Sequence, residues 1–177
     1  NLVNEAAILA ARHTKKTIST RQIEEAIDRV IAGPERKSRL ISAKEKSITA
    51  YHEVGHALVA RMMKHSDTVH KISIVARGGM GGYTRLLPPE DRYLYNQSQF
   101  KAMLATALGG RVSEDLTFGE ITTGASNDLE HATKIARRMV TEYGMSENLG
   151  PRTFGHKEEL VFLGKELSEQ RNYSEKV

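Results

Sequence analysis

Residues 42–64, SAKEKSITAYHEVGHALVARMMK, decide how the rest of the chain is read. Ser42 and Glu45 stand three apart ahead of an apolar run, the signature of a capping box that opens a helix. Ile48, Tyr51, Leu58, Val59 and Met62 supply that helix with apolar positions, and the pattern carries it to about Lys64. On it lies His52-Glu53-Val54-Gly55-His56. Histidines four apart stand one turn above the other, so both imidazoles can reach one metal ion from the same side. Glu53 lies about a third of a turn from His52 and can reach a water on that ion without ligating it. Gly55 falls in the helix interior, where glycine costs about 1 kcal/mol relative to alanine. Something is therefore expected to approach closely there.

A catalytic zinc takes three protein ligands and keeps one position for water. The chain has no cysteine, so the third ligand must be another histidine or a carboxylate. The extended pattern H-E-x-x-H-x-x-G-x-x-H is excluded, because Val59 holds its glycine position and Met62 its last histidine position. The candidates are His65, His70, Glu114, Asp115, Glu120, Asp128, Glu130 and His131. Glu114 falls near the end of one predicted helix. Asp128 falls in the first turn of another, after a glycine-rich loop, where the helix dipole favours a carboxylate. Chemistry alone ranks these two first and does not separate them.

The bulk properties agree with an ordinary globular domain. Hydrophobic residues make up 39% and charged residues 27% of 177 positions, enough for one domain with a core or a domain plus the tail of another. A net charge of +4 falls well short of what a nucleic-acid partner would demand. The basic run Arg36-Lys37-Ser38-Arg39 contains no aromatic residue to stack on bases and reads as a solvated linker. No signal peptide or bilayer-spanning apolar stretch is evident.

Outward from the motif, Leu2 to about His13 is alanine-rich and reads as a buried helix. Ser19 and Gln22 form another capping box, ahead of Ile23, Ala26, Ile27, Val30 and Ile31 at helical spacing. Gly33-Pro34 ends this helical hairpin, and residues 34–41 read as a linker and domain boundary. Val69 to Val75 reads as a strand with Ile72 and Ile74 on one face. A glycine turn, Gly78 to Gly82, leads to a second strand, Tyr83 to Leu86, which Pro88-Pro89 ends. Phe100, Met103, Leu104, Ala107 and Leu108 predict a helix, in which Gly109-Gly110 marks either an end or a site of close packing. Gly119 to Gly124 reads as a loop. Ser126 is expected to cap a long helix with Leu129, Ala132, Ile135, Ala136, Met139, Val140 and Tyr143 on its apolar face, closed by Gly144. Met145 to Val177 is expected to hold loops and short elements. The predicted fold class is mainly α with a small β-sheet (α+β): a helical hairpin followed by a helical domain.

Five stretches together resemble the FtsH family of membrane-anchored, ATP-dependent zinc proteases. They are Leu2-Val3-Asn4-Glu5-Ala6-Ala7, Ala26-Ile27-Asp28-Arg29-Val30-Ile31-Ala32-Gly33, His52-Glu53-Val54-Gly55-His56-Ala57, Thr122-Thr123-Gly124-Ala125-Ser126-Asn127-Asp128-Leu129 and Ala136-Arg137-Arg138-Met139-Val140. The likeness runs in order over essentially the whole chain. It implies that residues 1–38 are the C-terminal end of the helical lid of an AAA ATPase plus a linker. Residues 39–177 are then a zinc metallopeptidase domain that stops before the family's last helices. It further implies one zinc per chain held by His52, His56 and Asp128, with Glu114 left to a supporting or structural role. Glu53 becomes the catalytic base that takes a proton from the attacking water and passes it to the leaving amine.

The same resemblance implies a homohexamer that degrades unfolded, unstable or membrane polypeptides, bound as an added strand. ATP and magnesium would belong to the missing ATPase part, and the membrane to missing N-terminal segments at the cytoplasmic face of a bacterial cell membrane. The portion in hand is expected to be soluble. It contains no Gly-x-x-x-x-Gly-Lys-Ser/Thr loop, since Gly164-Lys165-Glu166 fails at the last position. Three departures stand out: Val54 where alanine is usual, the extra glycines of 78–82, and His131 where arginine is common, which is expected to face solvent. The alternative from a different class is a metal-stabilised hexamerisation module without catalysis. Its signature would be loss of Glu53, which is present.

Overall fold

In the computed structural model, residues 1–36 and 41–154 are described. Helices α1 (Leu2–Arg12) and α2 (Thr20–Ala32) form the N-terminal hairpin. Helix α3 (Ala43–Met62), strands β1 (Thr68–Ser73) and β2 (Tyr83–Leu87), helix α4 (Gln97–Phe118), a 3-10 turn (Thr123–Ala125) and helix α5 (Ser126–Thr141) follow. The fold is thus mainly α with one small antiparallel sheet, as the sequence pattern predicts. Residues 37–40 of the basic run and 155–177, with Gly164-Lys165-Glu166, lie outside the described residues.

Local chemistry starts these helices. The Ser42 hydroxyl accepts from the Glu45 N–H at 3.1 Å, and Glu45 Oε2 accepts from the Ser42 N–H at 3.2 Å. Ser19 and Gln22 make the corresponding pair at α2. Asn96 and Gln99 do the same at α4, a cap the sequence reading did not single out. Ser126 proves not to be a cap. It is the first residue of α5, Ala125 holds the cap position without a side-chain bond, and the 3-10 turn feeds directly into the helix. Residues 34–36 are also less free than a solvated linker. Arg36 N–H donates to Ala76 O at 2.9 Å, and Gly78 N–H donates to Pro34 O at 3.2 Å.

The decisive packing contact is between glycines. A Cβ on Gly55 would sit 2.5 Å from Gly109 O, and one on Gly109 would sit 2.8 Å from Gly55 O. No side chain separates α3 from α4 where they cross. Gly109-Gly110 therefore marks close packing, and α4 runs on uninterrupted to Phe118.

Several apolar patterns point the wrong way. On α3 the buried face is His52, Glu53, Gly55, His56, Ala57 and Ala60, whereas Leu58 and Met62 are exposed. The inward face of this helix is taken by polar chemistry and small residues, so the large aliphatic groups turn out. On α1, Ala6, Leu9 and Ala10 are buried but Val3 and Ile8 are not, and on α2 Ala26 is buried while Ile23, Val30 and Ile31 are exposed. The hairpin is therefore only partly buried. In the sheet Ile72 is exposed, and Ile74, expected in the same strand, lies past its end at Ser73 and is exposed as well. The inner face instead presents Lys71 and Arg85 to Asp28 of α2.

That polar contact joins the hairpin to the sheet. Asp28 is only 1% exposed; Lys71 Nζ donates to its Oδ2 at 2.5 Å and Arg85 Nη1 to its Oδ1 at 3.1 Å. Beside it, Arg77 clasps both oxygens of Glu25 at 3.1 and 2.9 Å. Burial pushes the Asp28 pKa up, but the hydrogen bond from Lys71 and the charges of Lys71 and Arg85 outweigh it, and the net direction is down from 3.8.

Two predictions follow from these contacts. Gly55→Ala should lower stability by about 1–3 kcal/mol through overpacking, although alanine is the better helix former by about 1 kcal/mol; urea unfolding measures the difference. For Asp28 the lowered pKa sets the sign. Its clamp stabilises fully above the ordinary value of 3.8 and fades as pH falls through the lower folded value. Asp28→Asn should cost about 3 kcal/mol near neutrality, because it leaves the buried Arg85 guanidinium without its carboxylate. In thermal melts, the lead of the wild type over this variant should shrink below about pH 4.

Candidate metal centre

The glycine crossing lets α4 reach the two histidines of α3 directly. A Cβ on Gly110 would lie 2.5 Å from His56 Nε2 and 2.6 Å from His52 Cε1, so only a glycine backbone fits against the rings. From the same helix, Thr106 O lies 2.7 Å from His56 Nδ1 and Glu114 Oε1 lies 2.6 Å from His52 Nδ1. A carbonyl oxygen can only accept, so the short contact to Thr106 O puts the proton on His56 Nδ1 over the longer 3.3 Å approach of the Gly110 N–H; the Glu114 carboxylate sets His52 in the same way. In each neutral ring the lone pair is then left on Nε2.

Those two Nε2 atoms face each other at 3.0 Å. Asp128 Oδ2, from the first turn of α5, lies 3.1 Å from the first and 3.5 Å from the second. His52, His56 and Asp128 each offer one ligand atom, and these atoms lie within 4.8 Å of one another. Three lone-pair donors aimed at one point repel unless positive charge lies between them. Two imidazole nitrogens and one carboxylate oxygen, with each ring's second nitrogen anchored, form a donor set that suits zinc.

The electrostatics agree. Burial pulls His52 down, but its hydrogen bonds to Asp128 and Glu114 raise it on balance. His56 behaves likewise, with Asp128 and the Thr106 carbonyl outweighing burial. Asp128 is pushed up by burial, yet the two histidines hold it far below the usual carboxylate range. The site thus attracts positive charge.

Glu53 is 6% exposed and stands beside this point. Burial raises its pKa, and the hydrogen bond from the Thr84 hydroxyl and the two histidines offset this only in part. Thr84 Oγ1 lies 2.7 Å from Glu53 Oε2. All four motif-related groups line one cavity of about 630 Å³. Its other walls include Ile48, Met80, Gly82, Leu86 and Met103.

The other candidates are placed differently. Glu114, 1% exposed, uses Oε1 on His52 and accepts from the Thr122 N–H on Oε2 at 2.7 Å, so both oxygens are engaged. It thereby ties His52 to the loop that leads to Asp128. His65 and His131 are both exposed and both line the cavity, so His131 is open to solvent yet shares the space of the candidate centre. His70 Nδ1 faces Arg85 at 3.0 Å. Asp115 and Glu120 are exposed, and exposed Glu130 pairs with Lys134 at 2.5 Å. Tyr83, at the start of β2, also lines the cavity. The residue-by-residue reading missed Thr84 and Thr106. Thr106 acts through its backbone, which no residue type announces; the one available signal for Thr84 was a hydroxyl two residues after a glycine turn.

Comparison with known proteins places the chain in a family. The chain is 69% identical over 177 residues to the ATP-dependent zinc metalloprotease FtsH 1 of Sphaerobacter thermophilus, covering 100% of this chain and 27% of that protein. It is 68% identical to the protein of the same name from Thermomicrobium roseum, with the same coverage. It is 58% identical over 178 residues to FtsH 3 of Symbiobacterium thermophilum, covering 100% of this chain and 28% of that protein. The chain thus spans about a quarter of the length of the curated relatives it matches. The sequence profile of Peptidase family M41 matches residues 39–177. On that match and these identities, the chain belongs to peptidase family M41.

Proposed function

We propose that this chain is the zinc-dependent endopeptidase portion of a longer, ATP-dependent protease. The observation that carries the reading is the convergence of His52 Nε2, His56 Nε2 and Asp128 Oδ2, with both Nδ1 atoms held by α4. His52, His56 and Asp128 are the metal ligands in this reading, and Glu114 orients His52. A bound zinc supplies a Lewis acid and lowers the pKa of a water molecule.

The chain's own residues do the rest. Glu53 accepts the proton of the water that attacks the peptide carbonyl and delivers it to the departing amine. Its partly desolvated carboxylate, with a raised pKa, suits a group that must both take and return a proton. Strand β2 lines the cavity through Tyr83, Thr84 and Leu86 and pairs with β1 on one side. Among the described residues no strand pairs with its other edge, which suits an extended polypeptide added as a third strand. Backbone pairing of this kind favours broad sequence tolerance and unfolded substrates.

The division of labour follows the family likeness. Residues 1–38 act as the end of an ATPase lid plus linker, and 39–177 as the peptidase. ATP with magnesium, assembly into a homohexamer and tethering at the cytoplasmic face of a membrane belong to the longer protein. No helix among the described residues is long and apolar enough to cross a membrane. A non-catalytic hexamerisation module is the weaker reading, because Glu53 is present, buried and bonded beside the candidate metal point.

The wild type should bind about one zinc per chain, and Asp128→Ala should hold almost none by elemental analysis. Glu114→Ala should weaken zinc affinity by about 10–100-fold yet fill at saturating metal. Loss of zinc in Glu114→Ala with retention in Asp128→Ala would move the third ligand to Glu114. Glu53→Gln should keep its zinc and lose casein hydrolysis by about 10²–10⁴-fold. Cleavage by that variant at the wild-type rate would remove Glu53 from the base's role.

A further inference from the structure

We infer that Thr84 is a positioning residue for the proposed base, its hydroxyl bracketing Glu53 so that one chosen carboxylate oxygen faces the reaction. The inference rests on the assignment of Glu53 as proton acceptor. Thr84 Oγ1 lies 2.7 Å from Glu53 Oε2 and 2.8 Å from the carbonyl oxygen of the same residue. A hydroxyl has one proton to give, so it serves these two acceptors in turn. Both acceptors belong to Glu53, so one hydroxyl links its carboxylate to its own backbone carbonyl. Oε2 is taken up by Thr84, and Oε1 has no hydrogen-bond partner among the described residues.

The rest of the strand reinforces this bracket. A Cβ on Gly82 would lie 3.0 Å from Glu53 Cγ and 2.7 Å from Ser73 O, so glycine at the entry to β2 is what lets the strand come close to the base's stem. Thr84 is paired across the sheet with Ile72. Its neighbour Arg85 is 8% exposed and ion-paired to Asp28 at 3.1 Å. The hydroxyl is therefore carried by a strand braced from its other face by α2. A base held by a rigid element keeps the near-attack geometry that a freely rotating glutamate loses.

Valine matches threonine in shape and removes only the hydroxyl, while serine keeps the hydroxyl and removes the methyl. In the intact, zinc-loaded protein supplied with ATP, Thr84→Val should lower kcat for casein cleavage by about 10–100-fold, the range expected for a misplaced catalytic group. KM and zinc content should change little. Thr84→Ser should return kcat to within a few-fold of the wild type. Wild-type kcat in Thr84→Val, or a Thr84→Ser variant as slow as Thr84→Val, would overturn the positioning role. Glu53→Gln is run alongside to separate the two levels. If it is inactive while Thr84→Val is fully active, only the role of Thr84 falls. If it cleaves like the wild type, the assignment of the base falls and the positioning role falls with it.

Discussion

The close crossing of α3 and α4 at Gly55 and Gly109 is the constraint on which the rest of the site depends. Two helices that meet backbone to backbone bring main-chain atoms within reach of side chains that would otherwise be held off. Here the consequence is chemical. The carbonyl of Thr106 reaches His56 and the carboxylate of Glu114 reaches His52, each on Nδ1, so both Nε2 lone pairs are aimed at one place. Gly110 extends the approach by one residue and leaves room for the imidazole edges. Glycine in a helix costs stability, and at these three positions the return is a preoriented donor set.

A second joint, made of charge, connects this centre to the N-terminal hairpin. Asp28 and Glu25 of α2 meet Lys71, Arg77 and Arg85 from β1, the following loop and β2. Charged contacts of this kind contribute less net stability than hydrocarbon of equal volume, but they fix one register and resist being left half-made. They also explain why Lys71 and Arg85, and not isoleucine, take the sheet face toward α2: that face is matched to a buried carboxylate. The same strand that carries Arg85 on this face carries Thr84 toward Glu53.

Much of this was legible in the sequence, and the remainder was hidden for identifiable reasons. The paired caps at Ser19/Gln22 and Ser42/Glu45 are local signals and read correctly, and His52 and His56 do meet on one face of α3 as their spacing implies. Asn96/Gln99 carries the same signal and was passed over. Gly55 was odd in a helix for the reason found, and Gly109-Gly110 left two options that only the crossing decides. On α1 and α2 a small apolar core of Ala6, Leu9 and Ala26 leaves Val3, Ile8, Ile23, Val30 and Ile31 exposed, whereas on α3 and the sheet the reading misled because apolar periodicity presumes a hydrocarbon core. Here the inward positions are His52, Glu53 and His56 on one helix and Lys71 and Arg85 on the sheet. Asp128 and Glu114 were chemically equivalent on paper. Their difference lies in which oxygens are already engaged, a three-dimensional fact: Glu114 is used up on His52 and Thr122, and Asp128 faces both Nε2 atoms.

The central claim is that the two histidines and one carboxylate converge as a ready zinc site. Zinc K-edge X-ray absorption on the metal-loaded protein tests it most directly. The account predicts a shell of two imidazole nitrogens at about 2.0–2.1 Å with the remaining ligands oxygen, and no further imidazole. A shell with three imidazoles, or with one, would contradict it.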